Sequence, residues 1–563
     1  MRGSLQLLAG GWLAMAGSVA MAADTTVLSA ARIHTMDVTR PQARAMAYDG
    51  EGRILALGET EVLLKRYPQA RRLDLGNATV IPGLIDAHAH VGDLGWLRGN
   101  VDLTGTTSVE DVLQRLRDHA KAHPERPWVL GYGWDQNDWE EKRFPSASQL
   151  DAAFPDKPVW LQRIDGHAGW ANSAALQAVG RDLSGTWQPE GGRIERDASG
   201  RATGILVDTA MALVDDAQPP LTDAERERML ELAMTEAVSL GLTGLHDAGI
   251  PLAQLRAYQR LAERDALPLR ITAMAKGDGD ALDALCSEGL YSHPAGRLQM
   301  RTVKIVADGA LGSRGAALLA DYDDDAGNRG LMVTSPEQLH AITRKARGCG
   351  VQVATHAIGD RANREVLRAY TEVLGDAVAK DHRWRIEHAQ VLAPEDLHQL
   401  PKLHVVASMQ PTHATSDMAW AEDRLGAARA VGAYAWRSLR DDGVRLAFGS
   451  DFPVELPDPR LGLYSAVARA DADGHPMGGW HPDQKLTAYE ALRGFTLDAA
   501  YAGFADAEVG SLAPGKRADF VVLGADPLAV DAKALRTLPV RATYVDGKAV
   551  FEAAAKDASA GAP

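Results

Sequence analysis

The spacing of apolar residues divides the chain into three stretches. From residue 24 to 80 short runs broadly alternate apolar and polar positions: TTVLSAARIHTM, ARAMAYDGEGRILALG and ARRLDLGNATVIPG, with a turn marked by Asp49-Gly50 and Glu51-Gly52. The C-terminal stretch has the same character in GSLAPGKRADFVVLGADP and RATYVDGKAVFE, with a turn at Asp546-Gly547. Alternation places successive side chains on opposite faces of a strand. The two ends therefore predict one composite β-sandwich, built from residues 23–80 and 501–553.

Residues 81–500 follow a different rhythm, in which compact apolar runs alternate with helical periodicity. Strands are predicted at Val80–Asp86, Leu242–Asp247, Leu269–Ala275, Thr302–Ala307, Val351–Thr355, Arg383–Glu387, His404–Met409 and Val444–Gly449. Most precede a helical pattern, as PEQLHAITRKARGCG does after the fourth. Eight strands with intervening helices predict an α/β fold of the TIM-like (β/α)8 type. The interval between the first and second strands is far too long for one helix, which predicts an inserted subdomain from about Asn100 to Gln218. That interval is rich in Trp and Asp, as in GYGWDQNDWEEKRFP and VWLQRIDGHAGWANSAAL. No solenoid repeat is evident, and the Ala/Gly-rich residues 554–563 predict a disordered tail.

Composition narrows the function classes. The 563 residues are 46% apolar, enough for a large core spread over two or three domains. A formal net charge of −15 with mixed signs offers no basic patch for nucleic acid. The N-terminus reads as an export signal: Arg2, an apolar or small-residue run from Leu5 to Ala20, and a cleavage site at Ala20-Met21-Ala22. Residues 1–22 would be removed, leaving a protein without a stable membrane anchor, periplasmic if the source is Gram-negative. Cys286 and Cys349 lie in no CxxC or Cys/His cluster and read as small buried hydrophobes, with their pairing left open.

The chemistry sits at the ends of the predicted barrel strands. His88-Ala89-His90 closes the first, Lys304 lies in the fourth, His356 and His388 follow the fifth and sixth, and Asp451 follows the eighth. Alternation puts His88 and His90 on one side, and a parallel barrel gathers all these strand ends at one mouth. Each residue has a plain structural reading alone: a lone HxH is weak, a strand-end lysine is usually an ion-pair partner, and Asp451 could cap a helix. Together, in barrel order, they predict a centre for two divalent ions; imidazole and carboxylate suit zinc, with manganese, nickel, cobalt and iron left open. A bare ammonium does not bind a cation. A buried, neutral lysine can take up CO2 to become a carbamate, whose two oxygens can bridge two ions.

Further candidates surround this set. His167 in DGHAGW and His246 at the end of the second strand are candidate catalytic groups on the substrate side, the alternatives being a structural hydrogen bond within the insertion for His167 and a packing or ligand-supporting role for His246. Asp308 and Arg314, just after Lys304, are candidates for substrate binding or for ordering the loop. Arg163 and Arg314 are candidate anchors for a substrate carboxylate. Arg385 and Glu387 flank His388 and alternate with it, so Glu387 is expected to face away from the site and to support the ligands from behind. Trp134, Trp139 and Trp170 read as core rather than pocket.

The phrases VIPGLIDAHAH, GYGWDQNDW, DGHAGWANSAAL, GLTGLHDAG, VKIVADGALGSRGA, THAIGD, RIEHAQ, GSDFPVE, DPRLGLYSAVAR and GSLAPGKRADFVVL span almost the whole chain after the export signal. They resemble the amidohydrolase superfamily, specifically its YtcJ-like branch, which includes N-substituted formamide deformylase. The resemblance implies a barrel hydrolase with a carbamylated lysine and two metal ions, cleaving a C–N bond other than an ordinary peptide bond. It makes His88, His90 and Asp451 ligands of one ion, His356 and His388 ligands of the other, and Lys304 the bridge. A metal-bridging hydroxide would attack, and Asp451 would carry the proton. Other reactions on such a centre are N-acyl-amino-acid deacylation, dipeptide, cyclic-imide or phosphotriester hydrolysis, because substrate choice resides in the pocket. A periplasmic binding protein on an inactive barrel is the non-enzyme alternative. The expected partner is a small amide-like molecule, and a homodimer is compatible with the sequence.

Overall fold

The computed structural model describes residues 25–164, 166–189 and 191–554. The export signal and the tail beyond Ala554 lie outside the described residues. Among the described residues no helix is long and apolar enough to cross a membrane.

Eight parallel strands form the central sheet: β1 (Leu84–Ala89), β2 (Leu242–Ile250), β3 (Arg270–Lys276), β4 (Leu298–Val306), β5 (Gln352–Ala357), β6 (Arg385–His388), β7 (Val406–Met409) and β8 (Leu446–Phe448). Each pairs in parallel with the next. Just past β8 the ring closes: Asp451 N donates to His88 O at 2.8 Å and His90 N donates to Phe452 O at 2.9 Å. The closure needs a glycine, because a Cβ on Gly449 would lie 2.5 Å from both Asp86 Oδ1 and His88 N. The Asp86 carboxylate takes up the polar groups left at this seam, accepting from His88 N, Ser450 N and Ser450 Oγ.

The strands are buried on both faces because helices cover the outside. Helix Pro336–Gly348 begins with a reciprocal cap. Ser335 Oγ accepts from Gln338 N, Gln338 Oε1 accepts from Ser335 N, and Pro336 occupies the first turn, where no donor is missed. Helix Asp360–Leu374 buries Val366, Leu367, Tyr370, Val373 and Leu374, a stripe at three- and four-residue spacing.

The first predicted strand requires a correction. Thr79–Pro82 belongs to a different sheet, pairing with Arg32 and Ile33 on one side and Phe520–Leu523 on the other. Only from Leu84 does the chain enter the barrel. The two parts meet at Gly83, where a Cβ would lie 2.0 Å from Thr243 Oγ1. Strands from both ends of the chain join in this terminal sheet, which is one continuous eight-stranded sheet. It folds over on itself: Tyr48 and Phe520, three strands apart in the sheet order, have ring centroids 6.2 Å apart.

Between β1 and β2 the chain builds a separate six-stranded sheet between Val101 and Asp208. Its core contains Trp134, Trp139 and Trp170, all buried, with ring centroids 5.9–6.2 Å apart. Cys286 and Cys349 are bonded to each other, which decides the pairing that the sequence left open and corrects their reading as small buried hydrophobes. They are half-buried at the ends of two successive outer helices, Asp280–Glu288 and Pro336–Gly348. Barrel packing brings those ends together across 63 residues of sequence.

Candidate metal centre

All six predicted ligands converge at the strand ends. His88 Nε2 lies 3.5 Å from Asp451 Oδ1, and His90 Nε2 lies 3.1 Å from the same oxygen. Lys304 Nζ reaches His88 Nε2 at 3.0 Å. The His388 ring is centred 4.9 Å from His88 and 4.5 Å from His356. Ligand atoms of His88, His388 and Asp451 lie within 4.8 Å of one another, close to the spread that one cation with ligand distances of about 2.1 Å would impose.

The donor set fits a divalent metal on its own evidence. His356 Nε2 and Asp451 Oδ1 are buried without a hydrogen-bond partner. Such orphans are rare in protein interiors, and imidazole nitrogen with carboxylate oxygen is a set that divalent ions of the zinc type take. His90 is close to Asp451 Oδ1 but not aligned to donate to it.

Electrostatics keep the ligands in metal-binding forms. Burial, with Lys304 beside it, lowers the His88 pKa to about 4, and burial with His356 beside it pushes His388 well below the ordinary histidine value. Both imidazoles are therefore neutral at pH 7. Burial opposes the charge on Asp451, but His88, His90 and His388 outweigh it and hold the carboxyl well below its usual range. Burial also lowers Lys304, the direction that favours a free amine.

Polar side chains behind the ligands fix their orientation. His88 Nδ1 donates to Glu387 Oε2 at 2.5 Å, and His388 Nδ1 donates to Gln410 Oε1 at 2.7 Å, which leaves each Nε2 facing the centre. Glu387 is held in turn by Arg385, whose Nε and Nη2 reach its two oxygens at 2.5 and 2.8 Å. Arg385 Nη2 also donates to Ala87 O and Ser408 Oγ. Glu387 thus faces the interior, against the expectation from alternation. His388 and Asp451 both hold left-handed backbone, with φ of 71° and 62°. Such non-glycine conformations persist where the surroundings impose them and cluster at functional sites.

Several predicted residues stand elsewhere. His246 does not point to the mouth: its Nδ1 accepts from Arg385 Nη1 at 2.9 Å, and it lines a cavity of about 140 Å³ with Thr272, Gln299 and Phe504, near the strand beginnings. Asp308 is buried and accepts from Ala317 N, Ile358 N and Gly359 N at 2.8–3.0 Å. Its carboxylate orders the loop behind Lys304, which leaves little capacity for substrate. Arg314 is paired with Asp324 at 2.8 Å and Arg163 with Asp135 at 2.6 Å. His167 stays on the inserted sheet, largely exposed, with Nδ1 2.9 Å from Asp208 Oδ1.

Sequence reasoning missed His413. It follows β7 in helix Pro411–Asp417, and its Nε2 lies 3.8 Å from Asp451 Oδ2. The signal available was its position just after the seventh strand, the same kind of place that marked His356 and His388.

Comparison with known proteins agrees with this geometry. The amidohydrolase family profile matches residues 71–551. The putative amidohydrolase YtcJ of Bacillus subtilis (strain 168) is 35% identical over 90% of this chain and 95% of its own length. N-substituted formamide deformylase of Arthrobacter pascens is 32% identical over 93% of this chain and 97% of its own. The crystal structure of an uncharacterized metal-dependent hydrolase from Pyrococcus horikoshii OT3 superposes with a TM-score of 0.77 at 28% identity, covering 90% of this chain and 99% of that one. The chain belongs to the amidohydrolase family and is a hydrolase of the metal-dependent type.

Proposed function

We propose that this amidohydrolase cleaves the C–N bond of an uncharged amide-like small molecule, with N-substituted formamides as the leading substrate class. The observation that carries the reading is the convergence of His88, His388 and Asp451, beside buried and unpartnered His356 Nε2. Likeness to N-substituted formamide deformylase over nearly the full length of both chains supports the choice of bond. The pairing of Arg163 with Asp135 and of Arg314 with Asp324 supports an uncharged substrate over an N-acyl-amino acid or a dipeptide, since neither arginine is left to anchor a carboxylate.

Two divalent ions, expected to be zinc, would be held by His88, His90, His356, His388, Asp451 and a carbamate on Lys304, and when bound they supply an activated water and polarise the carbonyl. The protein's own groups do the rest. Glu387 and Gln410 keep the Nε2 atoms of His88 and His388 turned to the centre. Asp451 accepts the proton of the attacking water and delivers it to the leaving nitrogen. Burial of the cluster restricts competing solvent.

Export to an oxidising compartment goes with this reading: the N-terminal segment suggests it, and the Cys286–Cys349 bond suits it. Elemental analysis of protein purified without chelator should find close to two divalent ions per chain. A panel of N-substituted formamides, N-acyl-amino acids, dipeptides, cyclic imides and phosphotriesters should then show turnover fastest on the formamides. A metal-loaded enzyme that acts on phosphotriesters and on no amide, or an active preparation without metal, would overturn the proposal.

A further inference from the structure

One imidazole at the centre is left over once the six ligands are counted. His413 enters in the first turn of helix Pro411–Asp417, and the neighbouring Gln410 is the residue that holds His388. Its ring stacks on His388 with centroids 5.9 Å apart and planes 17° apart. The side chain is 13% exposed, and Nε2 is buried without a hydrogen-bond partner. At 3.8 Å, Asp451 Oδ2 is too far for a hydrogen bond. His413 therefore stands beside the ligand set, on the side of Asp451.

A buried polar atom of this kind needs a partner that arrives later. The partner must be polar, and it must lie next to the carboxylate that handles the proton. In hydrolysis of an amide, that position borders the carbonyl carbon under attack. As water oxygen bonds to carbon and the C–N bond breaks, negative charge builds transiently on the carbonyl oxygen. A fixed N–H donor in a buried site acts more strongly on that charge than on the neutral carbonyl. We propose that His413 is a catalytic residue of this enzyme, donating from Nε2 to the carbonyl oxygen of the substrate as the oxyanion forms. Its proton stays on the imidazole, and the water proton travels to the leaving nitrogen through Asp451. The inference rests on the amide-hydrolase reading and names a group that the reading did not require.

The test uses the metal-loaded full chain in three variants: His413→Gln, His413→Phe and His413→Ala. Elemental analysis should find the wild-type metal content in each. For His413→Phe, kcat on an N-substituted formamide should fall about 10²–10³-fold with KM changed less than about threefold, the signature of a contact made in the transition state. Free imidazole should restore part of the rate of His413→Ala, which loss of a purely structural side chain would not permit. If the wild type turns over no amide, the functional reading fails separately. The comparison then moves to acetohydroxamate binding by calorimetry, where His413→Phe should bind at least about tenfold more weakly. Unchanged kcat, unchanged acetohydroxamate affinity, or metal lost in step with activity would each overturn the role, the last by making His413 a ligand.

Discussion

Glu387 and His388 are consecutive in the chain, yet both side chains face the barrel interior. In a regular strand they would point to opposite sides. The left-handed backbone of His388, φ 71°, breaks the pleat at that residue. One strand end thereby contributes both a metal-ligand candidate and the carboxylate that orients another, His88. Burial works against the charge on Glu387, but Arg385 and His88 hold its carboxyl well below the usual range, so it is an anion at neutral pH.

The first prediction concerns that carboxylate. Glu387→Gln keeps the shape but removes the charge that holds His88 Nδ1–H and pairs with buried Arg385. Metal affinity, measured by competition with a chromogenic chelator, should fall about 10–100-fold, the usual effect of losing such a partner. Affinity equal to wild type would mean that the Glu387–His88 contact does not support the centre.

Lys304 should be needed for metal and not only for packing. Lys304→Ala should lose metal and activity together, and a small carboxylic acid such as acetate should restore part of both by supplying the missing anion. Carbamylation itself can be read directly, as a carbonyl signal in carbon-13 NMR after exposure to labelled bicarbonate. Absence of that signal in active, metal-loaded enzyme would rule out the carbamate.

Asp451 separates proton transfer from metal holding. Asp451→Asn retains an oxygen of the same reach but cannot cycle a proton at neutral pH. Metal content should survive at least in part while kcat drops by about 10²–10⁴-fold, the range for positioned acid–base catalysis. A metal-loaded variant running near the wild-type rate would send the proton through another group.

The Cys286–Cys349 bond makes a prediction about stability alone. It closes a loop of 63 residues that contains Lys304, but the bond itself joins the ends of two helices on the outside of the barrel. The double variant Cys286→Ser, Cys349→Ser should lose about 2–4 kcal/mol, seen as a lower denaturation midpoint, with kcat unchanged. A shift in kcat at equal metal content would instead tie the bond to the active site.

The alternation of apolar runs with helical periodicity carried the barrel, because buried parallel strands and their covering helices must each have that pattern wherever they lie in the chain. The ligand set was legible for a similar reason: in a parallel barrel, a residue at a strand end is at the mouth, so His88, His90, Lys304, His356, His388 and Asp451 could be placed together from local position alone. What tertiary structure decided were relationships that no local pattern encodes. The chain passes from one sheet to the other at Gly83, where Thr243 leaves no room for a Cβ. His246 turns toward Arg385 rather than the mouth. Asp308 is taken up by three backbone amides from two loops. The left-handed turn at His388 brings Glu387 into the interior, and His413 joins the site from a helix after β7. Each of these depends on which neighbour fills the space opposite, and that neighbour lies from nine residues away (Asp308–Ala317) to 299 away (His88–Glu387) in sequence, a reach over which packing and not periodicity decides.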